Sequence, residues 1–179
     1  VTIGTGIGSG IILGGKLYRG ANGLAPELGH MKVAPDGPQC GCGGKGCLET
    51  LVSAPAIIRR AEEKGLNLTG NGGAKEVFDL AKQGDRCARQ IVSEAMEFLA
   101  VGLKNTILLF DLQMILIGGG IGESSDAFLD ILRQATTKML PVKREIKIRR
   151  AVLGNKAGAL GAACLAFKEQ EELTVERLG

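Results

Sequence analysis

Apolar positions recur at helical spacing most persistently between residues 86 and 109. Ala88, Ile91, Val92, Ala95, Leu99, Leu103 and Ile107 fall three or four apart there and predict one long amphipathic helix. A second such face, Ile57, Ile58 and Ala61, begins after Ser53, a residue suited to an N-cap, and stops at Gly65. Shorter helices are expected over about 74–83, ending near Gly84, and after Ser124 or Ser125, carrying Phe128, Leu129, Leu132 and Ala135. A small-residue helix is expected over about 157–167.

Extended segments punctuate these helices. Val1–Ile3 and Ile11–Leu13 read as strands separated by Gly4-Thr5-Gly6-Ile7-Gly8-Ser9-Gly10. A dinucleotide fingerprint would need glycine where Ser9 stands and a helix afterwards, so the segment reads instead as a glycine-rich β-hairpin. Met114–Ile117 is continuously apolar and runs into Gly118-Gly119-Gly120-Ile121-Gly122, the pattern of a buried parallel strand ending in a ligand-facing loop. Another strand is expected over about 146–153. Strands alternating with helices give an α/β class, and no internal domain boundary is visible.

Composition changes this picture in one respect. Glycine contributes 28 of 179 residues, well above the usual frequency of about 7%. The glycines cluster beside apolar runs, which points to tight turns and close backbone approach to ligands rather than to a flexible chain. Charge adds little, because 22 basic and 19 acidic residues leave +3, too mild to suggest a nucleic-acid partner. The basic cluster Lys143-Arg144-Glu145-Ile146-Lys147-Ile148-Arg149-Arg150 alternates with isoleucines and reads as a strand with a solvated face, with phosphate binding as the other reading. No apolar run approaches the roughly 18 residues of a membrane span. The start lacks the basic and apolar regions of a signal peptide, so a cytoplasmic protein is expected. The first residue is not Met and an apolar segment begins at once, which reads as a piece of something longer.

His30, the sole histidine, is followed by Cys40, Cys42 and Cys47. Three thiolates and an imidazole form a common four-ligand set for structural zinc, and the intervening Gly41, Gly43, Gly44 and Gly46 let the chain wrap an ion. Pro35-Asp36-Gly37-Pro38 supplies a turn back towards His30. Disulfides are the competing reading, disfavoured because a C-x-C pair is strained and the compartment reads as reducing. Cys87 and Cys164 fall in helical patterns and read as buried packing. Glu27, three residues before His30, and Glu49, two after Cys47, would be held in fixed geometry by a metal in this loop. Fixed carboxylates accept from vicinal sugar hydroxyls, and a metal-bound imidazole keeps a second nitrogen for hydrogen bonding. Spacing alone leaves ordinary surface carboxylates as the alternative.

Pro26-Glu27-Leu28-Gly29-His30, followed by Cys40-Gly41-Cys42-Gly43-Gly44-Lys45-Gly46-Cys47-Leu48-Glu49, closely resembles the signature of the ROK family of bacterial sugar kinases and sugar-responsive repressors. The likeness extends through Gly4–Gly10 and Ile117-Gly118-Gly119-Gly120-Ile121, nearly the whole chain. It implies an actin-like ATPase (ribonuclease H-like) lobe with a zinc-bound loop at 27–49, and residues 1–179 as the C-terminal lobe of a two-lobe, glucokinase-like protein, the N-terminal lobe being absent. It implies zinc on His30, Cys40, Cys42 and Cys47, a hexose on Glu27, His30 and Glu49, and nucleotide phosphates on Thr5 and Gly6. Gly118, Gly119 and Gly120 would border the adenosine. ATP with magnesium would be the co-substrate, and family likeness suggests a homodimer.

One departure limits the activity expected of this chain. ROK kinases carry a D-x-G-x-T phosphate loop and a catalytic aspartate in a G-N-D context, and neither motif occurs here. None of Asp36, Asp79, Asp85, Asp111, Asp126 and Asp130 stands in that setting, so no catalytic residue is assigned and the isolated chain is expected to be inactive. The alternative parent is a transcriptional repressor whose sugar-sensing effector domain this would be. A repressor has no need of an intact Gly4–Gly10 turn, which favours the kinase. A zinc-held interaction module without ligand would leave both glycine clusters without purpose.

Overall fold

A computed structural model describes residues 1–69, 72–122, 126–141 and 145–178. Its centre is the long helix α4 (Arg86–Phe110), whose Ile91, Val92, Leu99, Leu103 and Ile107 are almost wholly buried. Asp85 starts it by accepting a hydrogen bond from the Ala88 amide at 2.8 Å, and Asp111, in the left-handed region, ends it. Helices α2 (Ala54–Glu63), α3 (Gly73–Gln83) and α6 (Asp126–Met139) pack around α4. Phe78 of α3 meets Phe128 of α6 edge-on, with ring centroids 4.7 Å apart. These three helices thus exist close to the bounds expected for them. Ser53 occupies the N-cap of α2 but makes no side-chain capping bond. Ser124 and Ser125, the candidate caps of α6, and Lys143 and Arg144 of the basic cluster lie outside the described residues.

The strands are short. β1 (Thr2–Ile3) pairs antiparallel with β2 (Ile7–Gly8), so the glycine segment does form a hairpin. A second hairpin, β3 (Ile11–Leu13) with β4 (Lys16–Tyr18), turns on Gly14 and Gly15. β5 (Met114–Ile117) runs parallel to β6 (Lys147–Arg150). β1 joins them edge to edge, the Ile3 amide donating to the Gly118 carbonyl at 2.9 Å and the Gly118 amide to the Val1 carbonyl at 2.8 Å.

Five expectations need correction. β5 is parallel but buried on one face only. Ile115 and Ile117 face the core while Met114 and Leu116 are 44% and 45% exposed, because the helices cover a single side of it. Gly119–Gly122 is a helical turn, α5, rather than an open loop. β6 ends at Arg150, short of residue 153. The last helix, α7 (Ala157–Leu178), runs well beyond residue 167, and Leu160, Leu165 and Phe167 on it are exposed. Cys164 is exposed with them rather than buried, whereas Cys87 is half-buried. Among the described residues no helix is long and apolar enough to cross a membrane.

Candidate functional site

The loop between β4 and the first long helix has little regular structure but many internal bonds. Leu28–His30 forms one 3-10 turn, with the His30 amide donating to the Glu27 carbonyl at 3.1 Å. The chain then doubles back on itself. Val33 and Ala34 amides both reach the Gly46 carbonyl, the Gly46 amide reaches Pro38, and Leu48 donates to Met31. The turn expected at 35–38 is present, closed by the Gly37 amide on Ala34 at 3.1 Å. This return brings Cys40, Cys42 and Cys47 up to His30.

The ligand atoms of His30, Cys40, Cys42 and Cys47 all lie within 4.8 Å of one another. Cys40 Sγ stands 3.6 Å from His30 Nδ1, and Cys42 Sγ stands 3.6 Å from Cys47 Sγ. A tetrahedral zinc with Zn–S near 2.3 Å and Zn–N near 2.0–2.1 Å sets its ligand atoms about 3.6–3.8 Å apart. Donor type and spacing therefore fit zinc. The same separations exclude disulfides, whose sulfurs are bonded at about 2.05 Å, and all these cysteines are free. Burial pushes the Cys47 thiol up to about 12, reinforced by the neighbouring Cys40 and Cys42 sulfurs. The exposed Cys42 is shifted the other way, chiefly by a hydrogen bond from the Gly44 backbone. A bound cation would turn the reluctant Cys47 into a thiolate ligand.

Immediately after Cys47 the chain enters a helix too short for sequence periodicity to reveal, α1 (Glu49–Val52). Its first residue, Glu49, points at the β1–β2 turn. Glu49 Oε2 accepts from the Ile7 amide at 2.9 Å and would stand 2.6 Å from a Cβ on Gly6. The Gly4 carbonyl in the same turn accepts from the Ala54 amide at 2.8 Å. The turn carrying Thr5 and Gly6 is thus seated on the starts of α1 and α2, with Thr5 exposed.

On the other side of β1 lies the second glycine cluster. Gly119 adopts φ +82° and passes so close to β1 that a Cβ there would sit 2.4 Å from the Ile3 carbonyl oxygen. Thr5 and Gly6 therefore neighbour Gly118 and Gly119 through β1, although Ile3 and Gly118 are far apart in sequence. Glu27 and His30 are both exposed, at either end of the 3-10 turn, and Gly29 between them lies against the Ile7 backbone. With Nδ1 facing Cys40, His30 retains Nε2 for another partner. Glu27 also borders a cavity of about 840 Å³ whose other walls include Ile11, Leu13, Leu109 and Met114.

Sequence reasoning missed two contacts at this site. One is Glu49 with Ile7, and the other is Ser9, whose hydroxyl donates to the Pro26 carbonyl at 3.0 Å and accepts from the Leu28 amide at 3.3 Å. Both join segments distant in the chain, and no periodicity or spacing signals such a pair.

The sequence profile described as the ROK family matches residues 1–169. A glucokinase of Streptomyces coelicolor is 37% identical over 93% of this chain and 58% of its own length. An N-acetylmannosamine kinase of Escherichia coli is 34% identical over 95% of this chain and 56% of its own. The crystal structure of a ROK family glucokinase from Streptomyces griseus, in complex with glucose and AMPPNP, superposes with a TM-score of 0.82 at 35% identity. It aligns with 92% of this chain, which covers 58% of that one. The chain thus spans a little over half the length of these relatives.

Proposed function

The chain belongs to the ROK family, and on that premise we propose that it is the sugar- and nucleotide-binding lobe of an ATP-dependent hexose kinase. The observation that carries this reading is the seat of the β1–β2 turn. One face of that turn meets the Glu49 carboxylate and its strand meets Gly118 and Gly119. A phosphate held at Thr5 and Gly6 would lie between a sugar-binding carboxylate and an adenosine-binding segment, the order in which phosphoryl transfer needs them.

In this reading Glu27, His30 Nε2 and the free oxygen of Glu49 accept from or donate to the hydroxyls of the hexose. The backbone of Thr5 and Gly6 approaches the phosphates, while the missing Cβ at Gly6 leaves room for the Glu49 carboxylate behind the turn. Gly118, Gly119 and Gly120 line the adenosine side. ATP arrives with magnesium, which offsets the phosphate charge. His30, Cys40, Cys42 and Cys47 would hold zinc, which would cross-link the loop and so fix the carboxylates that flank it. The aspartate that would take the proton from the attacking hydroxyl belongs to a part of the protein outside this sequence, and residues 1–179 alone do not turn over. The likeness to a glucokinase and an N-acetylmannosamine kinase supports a hexose or an N-acetylated hexosamine as the substrate class.

The test is ADP release by the intact protein with ATP, magnesium, glucose and N-acetylmannosamine. Sugar-dependent turnover supports the kinase. Sugar binding without turnover by a zinc-loaded preparation would instead indicate a sensor, the effector domain of a repressor.

A further inference from the structure

We infer that Ser9 is the positioning residue for Glu27, and that strand β2 sets the relation between the two sugar-facing carboxylates. The inference rests on the sugar site proposed above and adds a residue to it. The Ser9 hydroxyl donates to the carbonyl of Pro26 and accepts from the amide of Leu28, the residues on either side of Glu27. One side chain therefore ties down both neighbours of the carboxylate. Glu27 itself starts the 3-10 turn at φ −107° and ψ 59° and makes no side-chain capping bond. Its carboxylate is not committed to the backbone, and its direction follows from how residues 26 to 28 are held.

Two residues upstream, the Ile7 amide holds Glu49. Between these two attachments, the Ile7 backbone runs so close to Gly29 that a Cβ there would sit 2.6 Å from the Ile7 carbonyl oxygen. The segment Ile7–Ser9 thus touches the loop at Glu49, at Gly29 and around Glu27, and it leads directly from the turn proposed for the phosphates. Position 9 needs a group that gives and takes a hydrogen bond at once. A hydroxyl does this, and a methyl or a hydrogen does not.

The test is calorimetric titration of the intact protein with glucose, N-acetylmannosamine and ADP, for wild type and for Ser9→Ala, Ser9→Gly and Ser9→Thr. Loss of the hydroxyl is expected to weaken binding of whichever sugar the wild type takes by about tenfold, the effect of one hydrogen bond's worth of misplacement. ADP binding should stay within about twofold, zinc content should be unchanged, and Ser9→Thr should bind sugar like wild type. Should Ser9→Ala fail to fold, Ser9→Gly carries the same comparison. Sugar affinity equal to wild type in a folded hydroxyl-less variant would overturn the role of Ser9 alone. So would Ser9→Thr being as weak as Ser9→Ala. A wild type that binds neither sugar would instead sink the sugar site itself, and the Ser9 role with it.

Discussion

Glu49 Oε2 accepts a hydrogen bond from the amide of Ile7 across 42 positions of sequence. It joins the residue that follows Cys47 by two to the strand that leaves the Thr5–Gly6 turn. Ile7 is only 7% exposed, so its amide is poorly placed to find another partner if the carboxylate is lost. Glu49→Ala is expected to destabilise the protein by about 1–3 kcal/mol, with Glu49→Gln costing less because an acceptor remains. Urea unfolding measures both. ADP affinity should fall in Glu49→Ala as well, since the turn loses one of its two supports.

Replacing a single cysteine dismantles the four-ligand set. Cys42→Ser is expected to bring zinc, measured by elemental analysis, well below one per chain and to weaken sugar binding with it. An unchanged metal content would remove Cys42 from the site. The affinity of the wild type should rise with pH between about 6 and 8, because an incoming ion displaces thiol protons. The sign follows from Cys47, whose thiol stands at about 12 without the ion and so still holds its proton throughout that range. Each step up in pH lowers the cost of removing it.

Gly119→Ala places a methyl group against the Ile3 carbonyl at a backbone angle that L side chains rarely adopt. The close partner is backbone, which cannot rotate away. A loss of about 1–3 kcal/mol is expected, with nucleotide binding impaired before sugar binding. Thermal unfolding and ADP titration read the two effects separately.

Asp85→Ala removes the side-chain cap of α4, the helix on which the others pack. The expected cost is about 1 kcal/mol, with no change in ligand affinity, because Asp85 touches none of the site residues. Chemical denaturation tests the first part and calorimetry the second.

The helical core was legible because α2, α3, α4 and α6 each bury one face against a neighbour, and burial of one face leaves a 3.6-residue period in sequence. Gly84, at φ +103°, marked the end of α3 for the reason glycine usually does. The metal loop was legible from ligand chemistry alone, since few functions need three cysteines and a histidine so close together. What escaped has a different physical origin. α1 is four residues long, less than two turns, and carries no period. Met114 and Leu116 are apolar yet exposed, and composition does not reveal which face of a strand is covered. α5 is built of glycines, poor helix formers, and is held where it is by tertiary contacts with β1. Ser9 and Glu49 act through single contacts between remote segments, which leave no trace in any local pattern.

The doubled-back loop between Met31 and Leu48 closes on hydrogen bonds that need no ion. Gly46 alone takes part in three of them, and Cys40 and Gly44 bridge the tip. In many small zinc domains the metal assembles its own ligands out of a disordered chain, so that chelation is a folding event. Here backbone hydrogen bonds tie the loop besides the ligand set. Removing the ion with a chelator is therefore expected to leave the lobe folded and its circular dichroism little changed, while the side chains around the tip lose their common anchor.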